Sequence, residues 1–175
     1  MSSVLEQIKK RRSVKKYEPD MVPQEVLDQI IEAGLYAANG RGRQCAIIIQ
    51  VTDRKIRDEL MERNREIGGW EKGFDPFYGA PVVLVVLARK DWPTHVYDGS
   101  LVMGNLMLAA HELGVGSCWI HRAKEEFDTQ WGRDLLNSLG IEGEYEGIGH
   151  CALGYAAGPT PEAAARKEGR VFYLK

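Results

Sequence analysis

The sequence predicts a domain in which helices and strands alternate around one buried helix, and three observations predict it. Between Asp98 and Leu113 apolar residues fall on nearly every side of a helical wheel, at Leu101, Val102, Met103, Leu106, Met107, Leu108, Ala109, Ala110 and Leu113. A helix apolar all round is a buried one. Four other stretches, 45–51, 80–88, 117–120 and 145–155, read as strands, and the gaps between them hold helices of uneven length. No GxGxxG follows a strand, which disfavours a Rossmann dinucleotide fold.

In chain order, residues 4–10 predict a short helix with Val4, Leu5 and Ile8 on one face and Ser2 or Ser3 as its cap. The run Arg11-Arg12-Ser13-Val14-Lys15-Lys16 falls at the helix end and in the loop after it, because Pro19 disfavours helix at Glu18. Such a run is either a solvated basic surface or, with a hydroxyl among its cations, a phosphate clamp. Pro23 opens a helix to about Ala38, with Val26, Leu27, Ile30, Ile31 and Leu35 at helical spacing. Residues 39–44 form a glycine-bearing loop. Residues 45–51 are apolar without clean alternation, which predicts a central strand.

Residues 53–67 predict a charged amphipathic helix, and 68–79 a long loop carrying Trp70, Phe74, Phe77 and Tyr78. Residues 80–88, APVVLVVLA, make the most buried strand, followed by a polar loop over 89–97. Asp98 or Ser100 caps the central helix, and Gly114 and Gly116 end it. The turn into strand 117–120 leaves backbone N–H groups at one spot, either as a dock for a planar polar ligand or as plain core. Residues 124–139 read as one helix with Trp131, Leu135 and Leu136 on a face, and 145–155 as a last strand. In that strand Gly147 and Gly149 allow close backbone approach. The tail 156–175 ends in Val171-Phe172-Tyr173-Leu174, an apolar arm that fits a crossing to a partner subunit.

The 175 residues suffice for one domain, 1–175, with a real core. Net charge is −2, and no acidic or basic tail points to nucleic acid or a membrane surface. Cys45, Cys118 and Cys151 form no CxxC pair, an odd count that fits buried thiols in a reducing compartment. The N-terminal MSSVLEQIKKRR has no apolar core of a signal peptide, so a cytoplasmic protein is expected. There is no Walker loop, GxSxG, HExxH or zinc spacing, and no metal is expected. The histidines, His95, His111, His121 and His150, are read as structural, and the carboxylates, mainly on helix faces with basic neighbours, fit a solvated-face pattern.

A set of pieces in fixed order carries more than any one of them. They are Arg11-Arg12-Ser13-Val14-Lys15-Lys16-Tyr17; Pro23 and its helix; Ala37-Ala38-Asn39-Gly40-Arg41-Gly42-Arg43-Gln44; and Tyr78-Gly79-Ala80-Pro81. The central helix and Gly114-Val115-Gly116-Ser117-Cys118-Trp119-Ile120 follow, then Leu153-Gly154-Tyr155 and an arm with Lys167 and Arg170. Across essentially the whole chain this resembles the nitroreductase family of flavin-dependent oxidoreductases, in its short form. The resemblance implies an α+β fold, a central, mainly antiparallel sheet flanked by helices, and an intertwined homodimer with one FMN in each of two interface sites.

By position it implies Arg11, Arg12 and Ser13 at the FMN phosphate and ribityl chain, Lys15 at the pyrimidine edge, and Lys167 and Arg170 as further cations at the phosphate. It implies Asn39, Gly40 and Gln44 from the other subunit, and backbone around Trp119, Ile120 and His121 near the ring's N5 edge. The implied activity is hydride transfer by a ping-pong mechanism from NADH or NADPH to nitroaromatics, quinones or similar small electron-poor acceptors. Other flavin chemistry, such as reductive dehalogenation or flavin fragmentation, and flavin storage or sensing are the alternatives. The sequence departs from the family's helix-end pattern Pro-Ser-Gly-x-Asn-x-Gln-Pro-Trp at Ala38, Asn39, Gly42, Cys45 and Ala46, while Gln44 remains. No catalytic side chain is implied, because the chemistry belongs to the flavin.

Overall fold

Residues 82–89 form a strand whose first seven residues are all buried, and this strand organises the sheet. The computed structural model describes residues 3–175, so Ser2, one of the two expected caps, lies outside the described residues. The elements are α1 (Val4–Lys10), α2 (Gln24–Leu35), β1 (Ala46–Val51), α3 (Arg54–Ile67), β2 (Val82–Arg89) and α4 (His95–Glu112). They continue with β3 (Gly116–Ile120), α5 (Ala123–Phe127), α6 (Gln130–Ser138) and β4 (Tyr145–Gly154). The strands pair in the order β1-β2-β4-β3, every neighbour antiparallel. The fold is α+β, as expected.

Side chains of a strand alternate between faces, and β2 feeds two cores. Val82, Leu84 and Val86 join Leu27, Ile30, Met103 and Leu106 of α2 and α4. Val83, Val85 and Leu87 join Leu60, Phe127 and Leu136 of α3, α5 and α6. Both faces are covered, so no polar residue alternates into the strand. The same reason corrects the expectation for 45–51: β1 lies at the sheet edge, not its centre. Its missing alternation reports helices on both faces, since Ile48 packs in one core and Ile47 and Ile49 in the other. Cys45 stands just before it.

The central helix begins at His95, earlier than expected, and Asp98 is a buried residue of its first turn rather than its cap. The 89–97 loop is shortened accordingly. Gly114, at φ 74, makes the left-handed turn that ends the helix. The helix is not buried all round within one chain: Met103, Leu106 and Ala110 are fully enclosed, whereas Tyr97 is 71% and Leu101 50% exposed. Nothing lies within 4 Å of where a Gly104 side chain would begin. The expected single helix over 124–139 is two, because Thr129 accepts from the Gly132 amide and restarts the chain as α6. In β4 a register shift opposite Val86 and Leu87 skips Ile148, and Gly147 and Gly149 admit the Ala123 backbone and the Trp119 indole against the strand.

Candidate functional site

A capping box between Ser3 and Glu6 starts α1, and the helix stops at Arg11, whose backbone is no longer helical. The basic run then lies along the sheet. Ser13 bridges to Ser117, the Val14 amide donates to the Ser117 carbonyl at 2.9 Å, and the Glu18 amide donates to the Tyr155 carbonyl at 2.8 Å. Ala157 donates back to the Lys16 carbonyl at 3.0 Å. The segment is therefore stitched between the β3 edge and the start of the tail. Tyr17 anchors it, buried, with its hydroxyl donating to the Ala152 carbonyl.

Two hollows open along this seam. One, of about 470 Å³, lies between Arg12–Lys16 and Ala156–Pro161. The other, of about 230 Å³, is lined by Arg12, His111, Gly114–Ser117 and Thr160. Arg12 donates to the Lys9 carbonyl at 2.8 Å, which fixes its guanidinium. Among the described residues Arg11 Nη1, Arg12 Nε, Ser117 Oγ and His111 Nε2 are buried and have no hydrogen-bond partner. Buried polar atoms are almost always paired, so this group suits an anion that accepts from it. A phosphate ester fits, and guanidinium forks match its geometry. Lys15 is exposed and stands 5.8 Å from the centre of the Tyr78 ring.

The end of β3 is held from beneath. Asn64, buried in α3, donates to the His121 carbonyl at 2.8 Å and to Glu126 Oε1 at 2.6 Å. Glu126 and His150 are fully buried, with 2.8 Å between Oε2 and Nε2. Glu126 and Asp98 are buried exceptions to the mainly solvated pattern expected of the carboxylates. Arg122, at φ 83, turns the chain out of β3 and lays its guanidinium 4.3 Å from the Trp70 ring. The 68–79 loop is fixed by Asp75, which accepts from the Phe77 and Gly79 amides and pairs with Arg57.

The Asn39–Gln44 loop sits elsewhere. It precedes β1, and β1 and β3 are the opposite edges of the sheet, about 14 Å apart at three strand spacings. Asn39 Oδ1 accepts from the Gln44 amide at 3.0 Å, and Asp98 accepts from the Gly40 amide at 3.1 Å and the Thr94 hydroxyl at 3.1 Å. The Cys45 thiol donates to the same carboxylate at 3.3 Å. Burial first, then that carboxylate, pushes this thiol up to about 11. Asn39, Gln44, Asp98 and Val102 line a hollow of about 110 Å³.

One chain thus brings Arg11, Arg12, Ser13 and Lys15 to the same seam. Trp119, Ile120 and His121 lie on β3 at that edge and just beyond it. Asn39, Gly40 and Gln44 are at the other edge. Lys167 and Arg170 lie exposed in the tail, lining neither basic hollow. Sequence reasoning missed His111 and Ser117; the only local signal was a histidine in the last turn of a helix that feeds a glycine turn.

The domain is thus an α+β fold whose antiparallel sheet carries a basic seam along one edge, with a donor set that suits a phosphate-sized anion. The profile of the family described as "Nitroreductase family" matches residues 8–155, and the chain belongs to that family. A relative from Methanothermobacter thermautotrophicus, provisionally named an NADH dehydrogenase/NAD(P)H nitroreductase, is 32% identical over 66% of this chain and 59% of its own length. The match thus spans about three fifths of that relative's length. The crystal structure of a nitroreductase with bound FMN from Bacteroides fragilis is similar with a TM-score of 0.90 at 29% identity, covering 100% of both chains. An iodotyrosine deiodinase bound to FMN and 3-iodo-L-tyrosine is similar in fold, with a TM-score of 0.78 at 22% identity over 99% of this chain and 100% of that one.

Proposed function

We propose that this chain is an FMN-dependent oxidoreductase that takes hydride from NADH or NADPH and passes it, in a ping-pong cycle, to nitroaromatics, quinones or similar electron-poor acceptors. The observation that carries the reading is the group of four unpartnered buried polar atoms on the Arg11–Arg12 seam. Burying a phosphate dianion without cations is costly, and this seam supplies them. FMN, when bound, supplies the hydride chemistry. Family membership and the FMN held by the Bacteroides fragilis nitroreductase support the same cofactor here.

The chain's own residues bind and orient. Arg11, Arg12 and Ser13 hold the phosphate and ribityl chain, and Lys15 places an ammonium at the pyrimidine edge. The backbone of 119–121, fixed by Asn64, meets the N5 edge. Asn39, Gly40 and Gln44 come from a second copy, because their edge of the sheet is remote from the seam in one chain. Lys167 and Arg170 add cations when the arm packs.

A homodimer supplies that second copy. The faces it would cover are apolar and open: Val4, Leu5 and Ile8 of α1, Tyr97 and Leu101 of α4, and Val171–Leu174 of the arm. An obligate interface of this kind buries more than about 2,000 Å². Three free thiols fit a cytoplasmic setting, and among the described residues no helix is long and apolar enough to cross a membrane. We read residues 1–175 as one domain.

Anaerobic stopped-flow reduction with each nicotinamide, followed by a screen of oxidants, tests the activity. The proposal requires a yellow protein that NADH or NADPH bleaches and an electron-poor acceptor reoxidises. A yellow protein that neither nicotinamide reduces contradicts it and favours storage or sensing.

A further inference from the structure

His111 is a histidine the reading above leaves without a task. It sits in the last turn of the 18-residue α4, and its Nε2 is buried and unpartnered. It lines the 230 Å³ hollow together with Arg12 and Ser117, whose hydroxyl is likewise buried and unpartnered. Core histidines normally find a partner within the protein; here two buried, unpartnered polar side chains and the Arg12 guanidinium, whose Nε is likewise unpartnered, line one hollow.

We propose that His111 and Ser117 are further ligands of the cofactor phosphate, and that protonated His111 makes a phosphorylated flavin bind more tightly as pH falls. The inference rests on the FMN reading above. Without an anion, burial first and then the charges of Arg11, Arg12 and Lys10 at the end of α1 hold the imidazole below its usual range, with Glu112 on its own helix opposing them. Ser117 from β3 and Thr160 from the tail, the other polar neighbours in the hollow, carry no charge. A phosphate placed among these cations reverses the balance, because a nearby anion favours the imidazolium. The C-terminal end of the helix dipole favours it too. The bound state therefore takes up a proton that the free state lacks, and acidification through that range strengthens binding.

The test uses apoprotein titrated with FMN and, in parallel, with riboflavin, which lacks the phosphate, at pH 8 and pH 6. Wild type, His111→Gln and Ser117→Ala are compared by quenching of flavin fluorescence. The second phosphate proton of free FMN, with a pKa of about 6, is common to all three titrations, so the difference between proteins reports the bound state. Between pH 8 and pH 6 the preference for FMN over riboflavin should rise about threefold to tenfold more in wild type than in His111→Gln, the scale of one partly screened charge-assisted bond. Ser117→Ala should lose about threefold to tenfold in FMN affinity at both pH values while binding riboflavin as wild type does, which also shows that it is folded. Equal pH slopes in wild type and His111→Gln overturn the role of His111, and unchanged FMN affinity in Ser117→Ala overturns that of Ser117. If wild type binds riboflavin as tightly as FMN, the phosphate assignment itself fails, and this inference with it.

Discussion

The two edges of the sheet are both polar, yet they are polar in opposite ways. At the β3 edge Arg11, Arg12, Ser117 and His111 carry buried atoms with no partner in the chain. At the β1 edge the buried carboxylate of Asp98 is answered by the Gly40 amide, the Thr94 hydroxyl and the Cys45 thiol, and Asn39 by the Gln44 amide. An unsatisfied buried donor costs free energy until something accepts from it; a satisfied network fixes a shape. On the proposed reading the first edge is completed by a ligand and the second presents a loop largely preformed by its own chain, with Trp92 Nε1 beside Gly40 a buried donor that lacks a partner among the described residues. The family resemblance implies that both serve one FMN site, and the physical difference supports different duties for them under the proposal.

The largest effects should separate those duties. Arg12→Ala should weaken FMN binding tenfold to a hundredfold, about 1.5–3 kcal/mol for a charge-assisted hydrogen bond. The apoprotein's melting temperature should barely move, since the lost contacts are local carbonyls at a helix end. Titration of the apo variant with FMN, beside a thermal melt, reads both. Asp98→Ala should act first on the stability of the apoprotein. It leaves the Gly40 amide without its acceptor, which costs about 1–3 kcal/mol, or roughly 2–4 °C per kcal/mol for a chain this size. Calorimetry of apo Asp98→Ala showing wild-type stability would break the comparison.

Lys15→Ala asks a finer question of the β3 edge. An ammonium about 4 Å from the reduced ring is worth at most about 4 kcal/mol at an effective dielectric near 20, before solvent screens it. At about 30 mV per 1.4 kcal/mol for a two-electron couple, the midpoint potential should fall by some tens of millivolts. Spectroelectrochemical titration with FMN fully bound measures it, and an unchanged potential removes Lys15 from the ring.

The smallest effect belongs to the β1 edge. The folded Cys45 thiol titrates near 11 against 9.0 for an ordinary one. Between those values the unfolded chain releases the proton and the folded chain keeps it, so stability falls as pH rises from about 9 to 11. Below 9 both states are protonated and the term vanishes. Cys45→Ala should flatten that alkaline slope in denaturant titrations.

Much of this was legible in the sequence, for reasons that can be named. β2 was plain because nine successive apolar residues admit no solvent face, and Arg11-Arg12-Ser13 stood out as cations around a hydroxyl. Local patterning could not reveal that β1 is an edge, because apolar residues record covered faces and not strand order. The break between α5 and α6 hid behind continuous helical spacing, although Thr129 is a capping residue. His111 and Ser117 carry no motif; only the fold shows that one helix end, one strand start and the basic run meet at a hollow. The open side of α4 was invisible because an apolar helix reads alike whether its own chain or another copy covers it.

The central claim is that each site joins the β3 edge of one chain to the β1 edge of another. Two variants tagged differently and co-expressed test it: Arg11→Ala/Arg12→Ala, which strips the seam, and Gly40→Val, whose side chain would collide with Trp92 and Thr94 and displace the Asn39–Gln44 loop. Each variant alone should bind no FMN. Mixed dimers purified through both tags should bind one FMN per two chains, because one of their two sites combines an intact seam with an intact loop. Mixed dimers with no FMN, or a Gly40→Val homodimer with its full complement, would contradict the shared site.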